Sequence, residues 1–234
     1  MIECKITGVD VSIEKNSSKL LGPVSFELVN SNCTIVLGPN GAGKTSFLRL
    51  LHGLDKPTTG SITWDPSAKI EEQSFVFQSP VILKRNVIEN VYYPLMLKGI
   101  SKKEAITQAE YWLERTSLNH KAYEPAISLS GGEKQRMVIA RSLISNPKLI
   151  FLDEPTVNLD GKSKSQIEKL LKQVINNGTK IIMATHDLGQ AKRLGNDILF
   201  LHHGKLLEVG SATSFFENPK TKEGLTFLRG EILQ

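Results

Sequence analysis

Cysteine is nearly absent: Cys4 and Cys33 are the only two in 234 residues. Thiols so far apart in sequence supply neither a zinc knuckle nor a redox pair, and reduced thiols packed as small hydrophobes are the expected role. Long apolar runs are missing too. No stretch approaches the ~20 residues that cross a bilayer, and Met1-Ile2-Glu3-Cys4-Lys5 lacks the basic-then-apolar layout of a signal peptide. The expectation is a chain that is not itself a channel and that works on the cytoplasmic side. No Lys/Arg block stands out, because 29 basic and 24 acidic residues are scattered to a net charge of +5. Nucleic acid is therefore not an expected partner. There is no internal repeat and no low-complexity linker. Hydrophobic residues at 40% and charged residues at 23% match ordinary globular usage, which excludes a disordered chain or a fibre.

What is present alternates. The pattern predicts short strands over 2–11, 24–29, 33–37, 61–64 and 74–77. Apolar residues at helical spacing then predict helices over 87–97, 102–116 and 133–145, with Ser101 capping the second. Strand texture returns at 149–152, 180–185 and 198–201, with helices at 163–177 and 188–194 between. Alternation of this kind implies an α/β fold with a parallel sheet and crossover helices. The expected division is a core over 1–78 and 146–210, a helical insertion over 79–145, and a tail over 211–234.

Gly38-Pro39-Asn40-Gly41-Ala42-Gly43-Lys44-Thr45 fits G-x-x-x-x-G-K-[ST] residue for residue. An apolar strand precedes it and an amphipathic helix beginning at Ser46 follows. Glycines let backbone N–H groups wrap a polyphosphate, and the helix start adds roughly half a positive charge aimed at it. Lys44 is suited to the β- and γ-phosphates, and Thr45 to Mg²⁺. A mere glycine turn would leave the Lys-Thr pair unexplained.

Leu149-Ile150-Phe151-Leu152-Asp153-Glu154-Pro155 ends an apolar strand in two carboxylates. Ligands of open α/β sheets bind at the carboxyl ends of strands. Asp153 suits Mg²⁺, and Glu154 is the candidate to polarise an attacking water. A second phosphate-ready helix start stands at Leu129-Ser130-Gly131-Gly132-Glu133. Ser130 and Glu133 also make a capping box, which alone does not call for paired glycines. The chain thus holds two such helix starts but one Lys-Thr cradle and one acidic pair. Either both grip one nucleotide, or the second serves another copy's ATP; spacing leaves this open.

These residues, with Gln78, Asp160 and His186 in the same order, resemble the ATP-binding-cassette (ABC) ATPases over about residues 1–210. The resemblance implies a P-loop NTPase of ABC type: a mixed, mainly parallel sheet core, an N-terminal antiparallel region and a helical subdomain. It implies ATP and Mg²⁺ as cofactors, and two copies paired head to tail with two ATPs sandwiched. Ser130, Gly131 and Gly132 would then act in trans on the nucleotide held by the partner's 38–46 segment. Gln78 matches the Q-loop, a Mg²⁺ and water ligand linking ATP to the membrane partner. His186 matches the switch histidine at the γ-phosphate, and Asp160 the D-loop. Two departures stand out. No aromatic between Met1 and Val24 is available to stack adenine, with Ile13 or Lys15 near that place, so weaker ATP binding is expected. The D-loop reads Val157-Asn158-Leu159-Asp160 where Ser-Ala-Leu-Asp is commoner.

The resemblance further implies separate transmembrane permease subunits and, indirectly, an extracytoplasmic solute-binding protein. Residues 79–87, with Tyr92 and Tyr93, are the expected docking groove, although core packing explains them equally. Residues 75–83, 185–194 and 227–231 look most like ATPases of tungstate-type oxyanion importers. Phosphate and polar amino-acid importers, lipid or lipoprotein exporters, and soluble ABC ATPases are the alternatives. His202-His203-Gly204 reads as a hairpin turn, His52 and His120 as solvated histidines, and Trp64 and Trp112 as packing residues.

Overall fold

The computed structural model describes residues 5–15, 18–29, 31–64 and 72–231, and the chain forms two compact units. The first unit, Met1–Ile70 with Lys180–Gln234, contains an antiparallel sheet in the order β2-β1-β4. Its strands are β1 (Lys5–Lys15), β2 (Ser18–Val29) and β4 (Thr59–Trp64). The opposed pairs Ile6 with Leu28, Val11 with Val24, and Ile13 with Leu21 are all buried. The pattern ended the first strand at Val11, but pairing continues to Lys15 opposite Ser18. Register shifts around Val11 and Ile13 hide that continuation, because each irregularity breaks the period-two alternation.

The same unit sets β3 (Cys33–Leu37) between β7 (Lys180–Thr185) and β8 (Asp197–His202), parallel to both. All five β3 residues are buried, as expected where both faces of a parallel sheet are covered. Burial pushes the Cys33 thiol up to about 12, as a packed, inert sulfur requires; Cys4 lies outside the described residues. β9 (Lys205–Ser211) returns antiparallel to β8 through His203 and Gly204, both left-handed. That is the hairpin turn expected at this point.

Helix α1 (Lys44–His52) turns Phe47 edge-on to Phe26, with ring centres 5.0 Å apart. The segment after residue 210 is helical. Its helices α7 (Ala212–Glu217) and α8 (Lys222–Leu228) bring Phe215 and Phe227 to 5.4 and 5.3 Å from Phe200. Buried Glu208 accepts the N–H groups of Lys220 and Thr221 at the start of α8.

The second unit, Glu71–Thr179, contains residues 79–145 together with strands and a helix that flank them in sequence. Parallel strands β5 (Gln73–Val76) and β6 (Leu149–Asp153) pair in register, Val76 opposite Leu152. Around them stand α2 (Val87–Leu97), α3 (Lys102–Arg115), α4 (Gly131–Leu143) and α5 (Gly161–Asn176). Polar side chains tie α4 to both neighbours. Ser74 Oγ donates to the Ser142 carbonyl, and Arg136 donates to Gln166 Oε1 at 2.9 Å. Asn86 with Glu89 and Ser101 with Glu104 cap α2 and α3. No helix among the described residues is long and apolar enough to cross a membrane.

Candidate functional site

In the first unit the sheet delivers the glycine-rich turn. Leu37 pairs with Thr185, so Gly38 and His186 each begin one residue beyond the carboxyl ends of adjacent parallel strands. This is the edge where α/β sheets place their ligands. The backbone then bends sharply. At φ 97° Gly43 occupies the left-handed region, and a Cβ there would lie 2.9 Å from the Leu20 carbonyl oxygen. Only glycine satisfies both limits. Gly38 is equally constrained by space, since the Leu201 carbonyl oxygen occupies the position of its missing Cβ.

Lys44 opens α1 and is buried, with Nζ donating to the Gly38 and Pro39 carbonyls at 2.9 and 3.0 Å. The lysine therefore arches back over its own turn, carrying its charge to the loop that is to wrap phosphate. Gly43 offers no side-chain cap and the first turn of α1 holds no acid, so the positive end of the helix keeps its sign. Asn40, Gly41 and Thr45 are exposed, Ser46 is half-buried and Ala42 is buried. Exposed His186 precedes α6 (Leu188–Leu194), whose cap Asp187 accepts the Gln190 N–H at 2.9 Å.

The acidic strand end lies in the second unit. Asp153 ends β6 at 2% exposure and Glu154 follows at 8%, with φ 46°. A left-handed non-glycine backbone stores strain and is most often kept where chemistry needs the aim of a side chain. Gln78 and Glu154 stand two residues beyond the Val76–Leu152 pair, at the carboxyl edge of β5 and β6. Phe75 stacks on Phe151 at 6.1 Å and holds that pair in register.

The Ser130 helix start is also in this unit and is built differently. Ser130 Oγ accepts the Glu133 N–H, while Glu133 takes the Ser130 N–H and hydroxyl at 2.9 Å each. Lys121 adds an ion pair of 2.7 Å to the same carboxylate. Lys121 first, and then the Ser130 bonds, push the Glu133 carboxyl down to about 2. Asp160 caps α5 by accepting the Ser163 N–H and hydroxyl, which holds its carboxyl below the usual range. Gly132 is glycine for packing, as a Cβ there would sit 2.6 Å from Ser163 Oγ. Gly131 has no such reason, since a Cβ would meet nothing within 4 Å.

Sequence reasoning missed Lys121, which braces the Ser130 cap, and Ser163 and Arg136, which stand at the Asp160 cap. Ser163, three residues past Asp160, carried a capping signal; Lys121 and Arg136 carried none. Of the two residues near the place of the missing aromatic, Ile13 is buried opposite Leu21 in the first sheet and Lys15 is exposed. One expectation is corrected. Tyr92 is buried, with its hydroxyl toward Glu89, and cannot line a docking groove; Tyr93 lies under Arg85. Exposed apolar residues nearby are Phe77, Val81 and Leu97.

A lysine-threonine cradle, an acidic strand end and a serine-glycine helix start together define an ATP-hydrolysing P-loop protein. The ABC transporter family model matches residues 21–157. The arginine transport ATP-binding protein ArtM of Bacillus subtilis is 33% identical, covering 93% of this chain and 98% of its own. The tungstate uptake system ATP-binding protein TupC of Peptoclostridium acidaminophilum is 35% identical, covering 91% of this chain and all of its own. Among solved structures, the ATP-binding cassette MJ0796, a dimer bound to ADP and Pi in a post-hydrolysis state, aligns with a TM-score of 0.77 at 28% identity. That alignment covers 88% of this chain and 98% of the other. This chain belongs to the ABC transporter family of ATP-binding subunits, and it is an ATPase.

Proposed function

We propose that the chain powers import of a small solute through separate permease subunits, as a peripheral protein on the cytoplasmic face of the membrane. Two copies pair head to tail around two ATPs. The observation that carries this reading is Gly131: nothing in its own chain requires a glycine there, at the head of an exposed, phosphate-ready helix. A glycine kept open at such a place suits the close approach of another copy's nucleotide.

Within that assembly the N–H groups of residues 38–46 and the Lys44 ammonium hold the β- and γ-phosphates. Thr45, Gln78 and Asp153 are hard oxygen donors of the kind Mg²⁺ takes beside substrate phosphates. The ion would neutralise charge developing on the transferred phosphoryl group. Glu154 polarises the water, His186 contacts the γ-phosphate, and Asp160 meets the partner copy. Glu154→Gln lowers hydrolysis by about 10²- to 10⁴-fold while leaving ATP binding intact. Light scattering of that variant with Mg·ATP should find a dimer. A strict monomer at high concentration, even with permease subunits present, would remove the paired arrangement.

For the cargo we favour an oxyanion of tungstate type. Support comes from full-length similarity to TupC and from residues 75–83, 185–194 and 227–231. Similarity to ArtM favours a second reading, a polar amino acid. Co-purified permease and binding protein, with the binding protein titrated with tungstate, molybdate, phosphate and arginine, separates the two. Silence toward all three oxyanions would overturn the first and leave the ATPase standing.

A further inference from the structure

The turn bearing Gln78 is fastened on both sides to the C-terminal end of α4. Before it, Ser74 Oγ donates to the Ser142 carbonyl at 3.0 Å. After it, Arg141 donates to the Val81 carbonyl at 2.7 Å and to Asn90 Oδ1 at 3.4 Å. Asn90 is wholly buried. Its Oδ1 accepts the Leu83 N–H at 2.9 Å, and its Nδ2 donates to the carbonyls of Leu83, Arg85 and Asn86. One amide side chain thus sets the backbone of residues 83–86. Farther on, Ala126 N–H donates to the Arg85 carbonyl and Val87 N–H to the Glu124 carbonyl, both at 3.0 Å. Residues 124–126 lead directly into Ser130. The exposed segment that follows Gln78 is therefore held at one end by the lead-in to the Ser130–Gly132 motif (the signature of the family) and at the other by the far end of its helix, α4.

An α-helix is stiff along its axis, and Arg141 lies roughly 15 Å up α4 from Gly131. We propose that Arg141 and Asn90 are positioning residues: they lock the Gln78 turn and residues 79–86 to the signature helix, so that seating Ser130–Gly132 on a nucleotide displaces this segment as one piece with it. The inference rests on the head-to-tail reading above and names how that closure reaches the permease-facing surface. Arginine suits the task because its planar fork spans two acceptors at once, the Val81 carbonyl and Asn90, which a lysine point charge does not. Burial lowers the Arg141 pKa from its ordinary value, and these two acceptors offset part of the cost of desolvating the guanidinium. Neither residue touches a nucleotide-binding group in the observed bonds.

Amide hydrogen exchange on full-length Glu154→Gln protein, with and without Mg·ATP, tests this. Mg·ATP should slow exchange across residues 79–86 by at least about fivefold. Adding Arg141→Ala should leave ATP affinity within about twofold and cut that slowing to less than about twofold, with Arg141→Lys intermediate. A merely structural role would shift melting without separating affinity from the exchange response. Full slowing retained in a dimerising Arg141→Ala protein would overturn the inference alone. So would a dimerising parent whose exchange at 79–86 does not change. A parent that binds Mg·ATP yet stays monomeric would overturn the head-to-tail reading and the inference with it.

Discussion

The starts of α1 and α4 both carry glycine at or beside the cap, yet differ in backbone and in chemistry. At α1 the cap is Gly43, which supplies no side chain, the first turn carries no acid, and a buried lysine bends over the turn. At α4 the cap is Ser130, reciprocally bonded with Glu133, whose carboxylate is also held by Lys121. The Ser130 hydroxyl and N–H are both engaged by Glu133, so the second start is satisfied by its own chain and leaves an open glycine at its head. In the proposed pair, a phosphate would be met by a cation at one helix and by a glycine-lined backbone at the other. That contrast suits the proposed head-to-tail pair, in which one side holds the nucleotide and the other closes on it and parts.

Four substitutions break or sharpen the contrast. The largest effect is expected from Lys44→Ala, which removes the cation and should weaken ATP binding by about 10- to 100-fold, read by calorimetry. Gly131→Leu should leave folding stability within about 0.5 kcal/mol, since its side chain enters open space. ATP affinity should hold while hydrolysis falls at least about tenfold, the loss expected when a transition-state contact is blocked. Gly132→Ala should do the reverse, costing about 1–3 kcal/mol in urea unfolding because its Cβ meets Ser163 Oγ at 2.6 Å.

The smallest effect concerns pH. Because folding depresses the Glu133 carboxyl from 4.5 to about 2, its stabilisation is complete above about 4.5 and is lost as pH falls toward 2. Lys121→Met should raise that carboxyl toward its ordinary value and flatten the acid limb of the stability curve, measured by NMR titration of Glu133 and by melting against pH. An unchanged titration would show that Ser130 alone holds the carboxylate.

Much of this was legible in the sequence where physics is local. Residues 33–37 and 180–185 are continuous apolar runs, and the structure makes them β3 and β7 at those bounds. Val87–Leu97 likewise became α2, announced by its spacing. The first hairpin was half-read because bulges disturb its alternation. The ties between distant segments left no trace in the sequence: Ser74, Arg136 and Arg141 reach acceptors far along the chain, and no periodicity records a side chain that bonds a distant carbonyl. Gly131 and Gly132 show the same limit. They are one letter repeated, yet only the fold reveals that packing demands the second and not the first.

The inert sulfur in β3 has a practical use. Cys33 carries a thiol that neither solvent nor base can reach while the strand is in place. In a Cys4→Ser background, the rate at which an alkylating reagent consumes it would clock how often the middle of the sheet breathes. The strand that launches the phosphate loop would thereby report its own opening, with no probe attached to the folded surface.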